Sequence, residues 1–371
     1  MLWSALLIPA NNGTPSFHEA ARQAVAVWAL QFTPRVALAD GAVLMEVAAS
    51  LRLFGGLRAL RARVWAEGQQ LGVCQLAWAP NSLAALALAR GGIENGLRAP
   101  LQTLLDGLPM DCLNAVHPHR LTLAHIGCRT LGDVRALPRG GVGRRFDKPL
   151  LAALDQVYGC APEVHRWVAV PEQFQARLEL MSRVDSAPAL LLGARRLLLQ
   201  MSGWLAARQA GVTAFTLKWM HDAMRARAAG EGGAITVRTA EPTRNTEHLC
   251  RLLAEHLRRV ELLAPVGDLE LVAVEVQPLA QASAALLPDT AHQGETLHLV
   301  LERLAARLGT ERVQRPVLLE DHRPEWMCRW QAAALPLPRQ TAAAHGWPQP
   351  GFLLPEPLRL AVRGERPCYR G

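Results

Sequence analysis

Apolar and polar positions follow two periods along this chain, and the switches between them divide it into units. Short apolar runs at Leu2–Ile8, Arg35–Leu38, Ala42–Val47 and Cys74–Ala79 predict strands, while helical spacing over Phe17–Leu30, Leu57–Leu71 and Ser82–Arg90 predicts three helices. The joints agree with that reading. Asp40-Gly41 is a turn dipeptide between two strands, Gly55-Gly56 precedes a helix, and Asn81 with Ser82 supplies a helix cap. Residues 1–98 therefore read as a mainly antiparallel sheet with helices over one face.

Residues 99–165 read as helical, and Leu121–Gly159 is the most informative stretch. Gly127 and Gly132 frame a helix start at Thr130, with Asp133 in its first turn, where a carboxylate suits the positive end of the helix. Pro138, Gly140, Gly141 and Gly143 predict a flexible turn, and a second helix follows over about Lys148–Tyr158. Backbone N–H groups at such turns and helix starts accept phosphate oxygens without reading sequence. Arg129, Arg135, Arg139, Arg144, Arg145 and Lys148 add the charge such contacts need. The plain alternative is a surface helical hairpin with solvated charge.

A linker bracketed by Pro162 and Pro171 leads to a third unit over 172–280. Ala176–Met181, Val212–Met220, Ile235–Thr239 and Leu269–Gln277 predict strands; Ala187–Gln209 and Thr246–Leu262 predict helices. The order β-α-β-β-α-β closes into a four-stranded sheet backed by two helices, with Ala223–Gly233 as a polar hairpin loop. The fold class is thus α/β of the α+β kind. Residues 281–371 turn rich in proline and tryptophan after one more helical pattern, as in a partial C-terminal region. The ending at Cys368-Tyr369-Arg370-Gly371 reads as a strand cut short.

Charge and cysteine usage narrow the function classes. The formal net charge is +8, and Lys148 and Lys218 are the only lysines among 40 basic residues, so arginine clustering in 120–148 carries the electrostatic argument. Seven cysteines form no CxxC pair, which fits a reducing cytoplasm. The start, MLWSALLIP, is apolar for only about nine residues, too short to span a bilayer, so no membrane association is expected. Several enzyme classes lack their motifs. No GxxxxGK[ST] supports an NTPase, no GxSxG elbow accompanies Ser202, His221 or Asp222, and His117 and His119 near Cys112 lack a fourth zinc ligand. Trp326, Trp330 and Trp347 fit either stacking or a small local core.

The order of parts resembles the palm, thumb and little finger of Y-family translesion DNA polymerases, and within them the polymerase-like branch found in bacterial inducible-mutagenesis cassettes. MLWSALLIP, WALQFTPRVALADGAVLMEV with SLRLFGG at 28–56, RTLGDVRALP with RRFDKPLLAALDQVYG at 129–159, and VRTAEPTRNTEHLCRLL at 237–253 carry the likeness. It implies a palm-like domain at 1–98, a thumb-like helical DNA-binding domain with helix-hairpin-helix character at 99–165, and a little-finger-like domain at 172–280. Arg177, Lys218 and Arg238 then fall on strands whose exposed face would lie along a DNA backbone.

Two departures from the family bear on activity. In-line phosphoryl transfer clamps attacking and leaving oxygens between two Mg²⁺ ions held by three palm carboxylates. Here the opening strand has no acidic residue, Gly41 stands where one of an acidic pair belongs, and only Asp40 remains as a metal-ligand candidate. Glu46 reads as a structural residue at a strand end. Moreover, the connection from Pro9 to Phe17 is too short for a fingers subdomain. The expectation is a protein with no catalytic residues, no cofactor and no bound metal, acting as a scaffold in DNA repair and damage-induced (SOS) mutagenesis. The resemblance implies four partners: DNA, the sliding clamp, an error-prone C-family polymerase and a RecA-like accessory protein. Gln281, Leu286 and Leu287 are the clamp-peptide candidate. The alternatives are an active Y-family DNA-directed polymerase using Asp40 and Glu46, and a DNA-binding protein with no clamp role.

Overall fold

A computed structural model of the chain describes residues 1–9, 15–222, 230–279, 297–319, 326–333, 354, 356 and 358–368. In β1 (Trp3–Leu7) the side chains alternate between two apolar environments, Trp3 and Ala5 entering one core and Leu6 another. There follow α1 (Pro15–Ala29), β2 (Val36–Ala39), β3 (Ala42–Glu46), α2 (Leu57–Gln70), β4 (Gln75–Ala79) and α3 (Ser82–Arg90). The strands pair antiparallel in the order β2-β3-β1-β4. Asp40 and Gly41 both hold positive φ at the β2–β3 turn, the conformation that an Asp-Gly hairpin supplies.

One expectation for this sheet is corrected: helices cover both of its faces. α1 and α2 pack over Leu6, Val43, Met45 and Trp78, while α3 covers Ala5, Leu44, Ala77 and Ala79. The second face is also the floor of the next unit, whose helices share α3's core. Those helices are α4 (Leu101–Asp106), α5 (Arg120–His125), α6 (Leu131–Ala136), α7 (Arg139–Arg145) and α8 (Lys148–Val157). Residues 139–145 therefore form a helix, not the flexible turn read from their glycines. Val142 anchors it in the core and Pro138 accepts at its start from the N–H groups of Gly141 and Val142.

The third unit follows the expected order: β5 (Gln175–Val184), α9 (Leu190–Ala207), β6 (Ala210–His221), β7 (Gly232–Thr243), α10 (Thr246–Leu257) and β8 (Val266–Pro278). Its sheet runs β5-β8-β6-β7, backed by α9 and α10 over Phe215, Leu217, Leu269 and Leu271. α10 stops short of Leu262 because Val260 and Leu262 leave the helix to pack on the same core. α9 also docks on the first unit. A Cβ on Gly203 would lie 2.9 Å from Cα of Trp28, so only glycine permits this approach. Leu199 enters the first unit's core, Val27 enters the third's, and Arg196 Nη2 donates to the Leu71 carbonyl at 2.5 Å.

The linker between the second and third units is pinned along its length. Val168 donates to the Val36 carbonyl at 2.8 Å, and Trp204 Nε1 donates to that of Pro171 at 2.8 Å. Beyond the third unit, α11 (Leu297–Leu308) is held by a buried contact of 2.7 Å between Glu302 and His248, and β9 (Gln314–Leu318) pairs with β10 (Cys328–Ala332). A separate unit, Leu337–Gly371, contains a hairpin of β11 (Ala361–Arg363) and β12 (Arg366–Cys368). Gln281, Leu286, Leu287, Trp347 and most of the Ala223–Gly233 loop lie outside the described residues. No helix among the described residues is long and apolar enough to cross a membrane.

Candidate nucleic-acid interface and remnant metal site

The helix starts offered as phosphate sites are occupied by the protein's own carboxylates. Thr130 and Asp133 form a capping box at α6, and Asp133 Oδ2 accepts from the backbone N–H groups of both Arg129 and Thr130 at 2.9 Å. Those bonds, with the nearby Arg129, hold the Asp133 carboxyl below the usual carboxylate range. Asp147 caps α8 through the Leu150 N–H at 2.8 Å and meets His119 Nε2 at 2.8 Å, which depresses its pKa in the same way. The N–H groups of Gly127 and Cys128 donate back to Ala124 and Leu123. Gly127 is a glycine for its φ of +93°, and Gly132 because a Cβ there would lie 2.9 Å from the Asp106 carbonyl oxygen. Gly141 lies inside α7, where a Cβ would meet only Pro138 Cβ, at 4.0 Å.

The six cations singled out from the sequence of this unit divide into two sets. Arg135 donates to both oxygens of Asp106, at 3.0 and 2.8 Å, and stacks on the Tyr158 ring; Arg139 donates to both oxygens of Asp155 at 2.7 Å. Asp106 also accepts from Tyr158 Oη at 2.7 Å, and burial with this contact pushes the Tyr158 phenol strongly up. These two arginines knit helices together. Arg144, Arg145 and Lys148, by contrast, are exposed and have no ion-pair partner among the described residues, and exposed Arg129 adds to them near Asp133. Lys148 sits in the first turn of α8, where the helix dipole disfavours a cation, so the fold gains nothing locally from it.

Arg177, Lys218 and Arg238 of the third unit are exposed but matched. They face Asp268 at 3.1 Å, Glu270 at 3.6 Å and Glu275 at 2.8 Å, carboxylates that all lie on β8. They do fall on strands, as read from the sequence, and each is paired to a neighbouring strand's carboxylate.

Asp40 and Glu46, the two carboxylates weighed as metal ligands, do not converge. β3 separates positions 42 and 46 by about 14 Å at strand rise, whereas two catalytic metals sit about 4 Å apart. Asp40 is exposed at the hairpin tip, and its carbonyl accepts from Arg90 Nη2 at 2.7 Å, while Arg90 Nη1 reaches the Cys112 carbonyl at 3.0 Å. Burial lowers the Arg90 pKa and the nearby Asp40 opposes that shift. Glu46 is 4% exposed and accepts from the N–H of Ala48 at 3.1 Å, the N–H of Leu2 at 3.5 Å and Arg35 at 3.3 Å. Every residue of β1 between Trp3 and Leu7 is apolar or hydroxylic. The donor set therefore does not fit the pair of hard cations that polymerase chemistry uses, and no three His, Cys, Asp or Glu side chains among the described residues come together for a metal. The imagined zinc set is likewise committed elsewhere: His117 to the Asp111 carbonyl and His119 to Asp147.

Four residues that sequence reasoning passed over organise this region. Asp106 gathers Arg135, Tyr158 and Gly132; Arg90 ties the Asp40 turn to the next unit; Glu163 accepts from the N–H groups of Ser82 and Leu83 at 2.9 and 2.8 Å; Trp167 stacks on Trp3. None has a local sequence signal, because each acts through a partner distant along the chain.

These units, in this order, make a mixed α/β fold in which a first four-stranded antiparallel sheet is followed by a group of short helices and then by a second four-stranded antiparallel sheet. Along the sequence the chain is homologous to Protein ImuB of Caulobacter vibrioides, in strains NA1000 / CB15N and ATCC 19089 / CIP 103742 / CB 15, at 28% identity over 368 residues, 96% of this chain and 77% of the relative. No family model matches the chain. Among solved structures, it is similar in outline to an insertion ternary complex of Dbh DNA polymerase, with 12% identity, 70% of this chain and 76% of that one covered, and a TM-score of 0.32. A DinB structure from Sulfolobus solfataricus overlays at 12% identity and a TM-score of 0.32, over 71% of this chain and 79% of that one.

Proposed function

We propose that this protein is a catalytically defective, Y-family-like polymerase relative that serves DNA damage tolerance as a DNA- and clamp-binding scaffold. The observation that carries the reading is the placement of the first sheet's carboxylates. β1 offers no carboxylate, Glu46 is consumed by backbone N–H groups and Arg35, and Asp40 stands apart at a hairpin tip. A relic of this kind retains value only through what it holds. The exposed Arg144, Arg145 and Lys148 suit sequence-independent contact with phosphates, and their lack of carboxylate partners supports that use. The similarity to ImuB supports a place in DNA damage tolerance; the sliding clamp, a C-family polymerase and a RecA-like accessory protein are the partners that this reading expects.

Primer extension tests the first half: the purified protein with Mg²⁺ or Mn²⁺ is expected to incorporate no nucleotide, and template-dependent synthesis would overturn the reading. Co-binding to clamp and primed DNA tests the second. Replacement of Gln281, Leu286 and Leu287 by alanine is expected to abolish clamp capture while sparing DNA binding. Unchanged clamp capture removes that peptide from the proposal.

A further inference from the structure

We propose that Trp167, on the linker between the thumb-like and little-finger-like units, is a stacking platform for an unpaired DNA base, with Arg166 beside it for the adjoining phosphate. The inference rests on the reading that the protein binds DNA.

Trp28, Trp78 and Trp204 are buried core residues, whereas Trp167 keeps 47% of its surface in water. It is nonetheless held from behind. One face of its ring stacks on Trp3 with centroids 6.1 Å apart and planes 15° from parallel, and His165 packs on both rings, at 5.5 and 4.7 Å. Its backbone is fixed as well. Trp167 bridges Ala37 on the edge strand β2, Val168 donates to Val36 at 2.8 Å, and Glu163 locks the linker to the start of α3, with Ser82 Oγ donating to it at 2.7 Å. A rigid aromatic surface loses little entropy when a ligand settles on it.

Place and charge argue for a nucleic-acid strand as the occupant. Trp3 belongs to the core that α3 shares with α4–α8, so Trp167 lies on the sheet face from which the thumb-like unit rises. Arg166 is exposed and has no ion-pair partner among the described residues. An indole offers its π face to any base, and an arginine next to it meets the backbone, the pairing used by sequence-tolerant single-strand binders. Bases within a duplex are already stacked on both faces. The platform therefore selects a strand with unpaired bases.

Binding of the full-length protein to an oligo-dT strand and to a blunt duplex, read by fluorescence anisotropy, provides the test. Trp167→Ala is expected to weaken strand binding about tenfold while leaving duplex binding unchanged, and Trp167→Phe to restore most of the loss. Unchanged strand affinity, or an equal loss on both substrates, overturns the proposal. Photocrosslinking of the wild-type protein to a strand carrying 5-iododeoxyuridine is independent of any folding defect in the variant. An adduct on Trp167 supports stacking, and its absence, as expected if the indole docks a protein instead, sinks it. The triple variant Arg144→Ala/Arg145→Ala/Lys148→Ala separates the two levels. If it binds both substrates like wild type, the DNA-binding reading of the thumb fails; if it weakens both while Trp167→Ala weakens neither, only the platform fails.

Discussion

The helices of the second unit and the sheet of the third both present arginine and lysine to solvent, yet they treat that charge in opposite ways. On the sheet, Arg177, Lys218 and Arg238 each face a carboxylate of β8, so the exposed surface is close to balanced. In the helical unit the pairing is selective: Arg135 and Arg139 are taken by Asp106 and Asp155, while Arg144, Arg145 and Lys148 are left bare around the α7–α8 turn. Counting basic residues does not distinguish the two regions. What distinguishes them is the carboxylate census within reach, since a paired cation must give up its partner before it neutralises a phosphate.

The sharpest way to break this comparison is to strip each set. Arg144→Ala/Arg145→Ala/Lys148→Ala is expected to weaken DNA binding by about 10- to 100-fold near physiological salt and to flatten the log–log salt dependence by about one unit per lost contact. The sheet variant Arg177→Ala/Lys218→Ala/Arg238→Ala is expected to change affinity by less than about threefold, because its cations are already compensated. Equal losses from both would dissolve the distinction.

Structural roles in the second, helical unit should appear in stability and not in binding. Gly132→Ala forces a methyl against the Asp106 backbone and is expected to cost about 1–3 kcal/mol in denaturant unfolding, with the salt dependence of DNA binding retained. Arg135→Ala is expected to lower stability by about 1 kcal/mol, the scale of a half-exposed pair with added ring stacking, again without altering the salt slope. A slope that falls by a full phosphate contact in either variant would place that residue on DNA instead.

Acid gives the mildest effect. Asp133, Asp147 and Asp155 all have folded-state pKa values below their ordinary one, from helix-cap N–H groups for the first two and from Arg139 for the third. The unfolded chain therefore takes up protons first as pH falls. The stabilisation is fully present above the ordinary carboxylate pKa of about 4 and is lost as pH drops through the lower folded values. Thermal midpoints measured from neutral pH downward should hold until that range and then decline. A decline starting near neutrality would show that these three carboxylates do not set the acid limit.

Much of the fold was legible in the residues alone. The apolar run at Leu2–Ile8, the Asp40-Gly41 turn, the Asn81 cap and the β-α-β-β-α-β order are local signals, set by periodicity and turn chemistry within a few residues. The glycines of 139–145 misled because composition argues for a turn while Val142 buries in a core that composition does not display. Gly132 and Gly203 are likewise glycines for close approach to Asp106 and Trp28, partners distant in sequence.

By itself, then, the sequence determined the elements, their order and the absence of acidic residues from the opening strand, since backbone preference and side-chain chemistry are read residue by residue. Only the tertiary structure decided which cations are neutralised, that helix caps rather than phosphates take the N–H groups at Arg129 and Thr130, that Glu46 is spent on Arg35 and the backbone, and that Trp167 rests on Trp3. Electrostatic pairing and stacking fall off within a few ångströms, and those distances exist only once segments far apart in the chain have packed together.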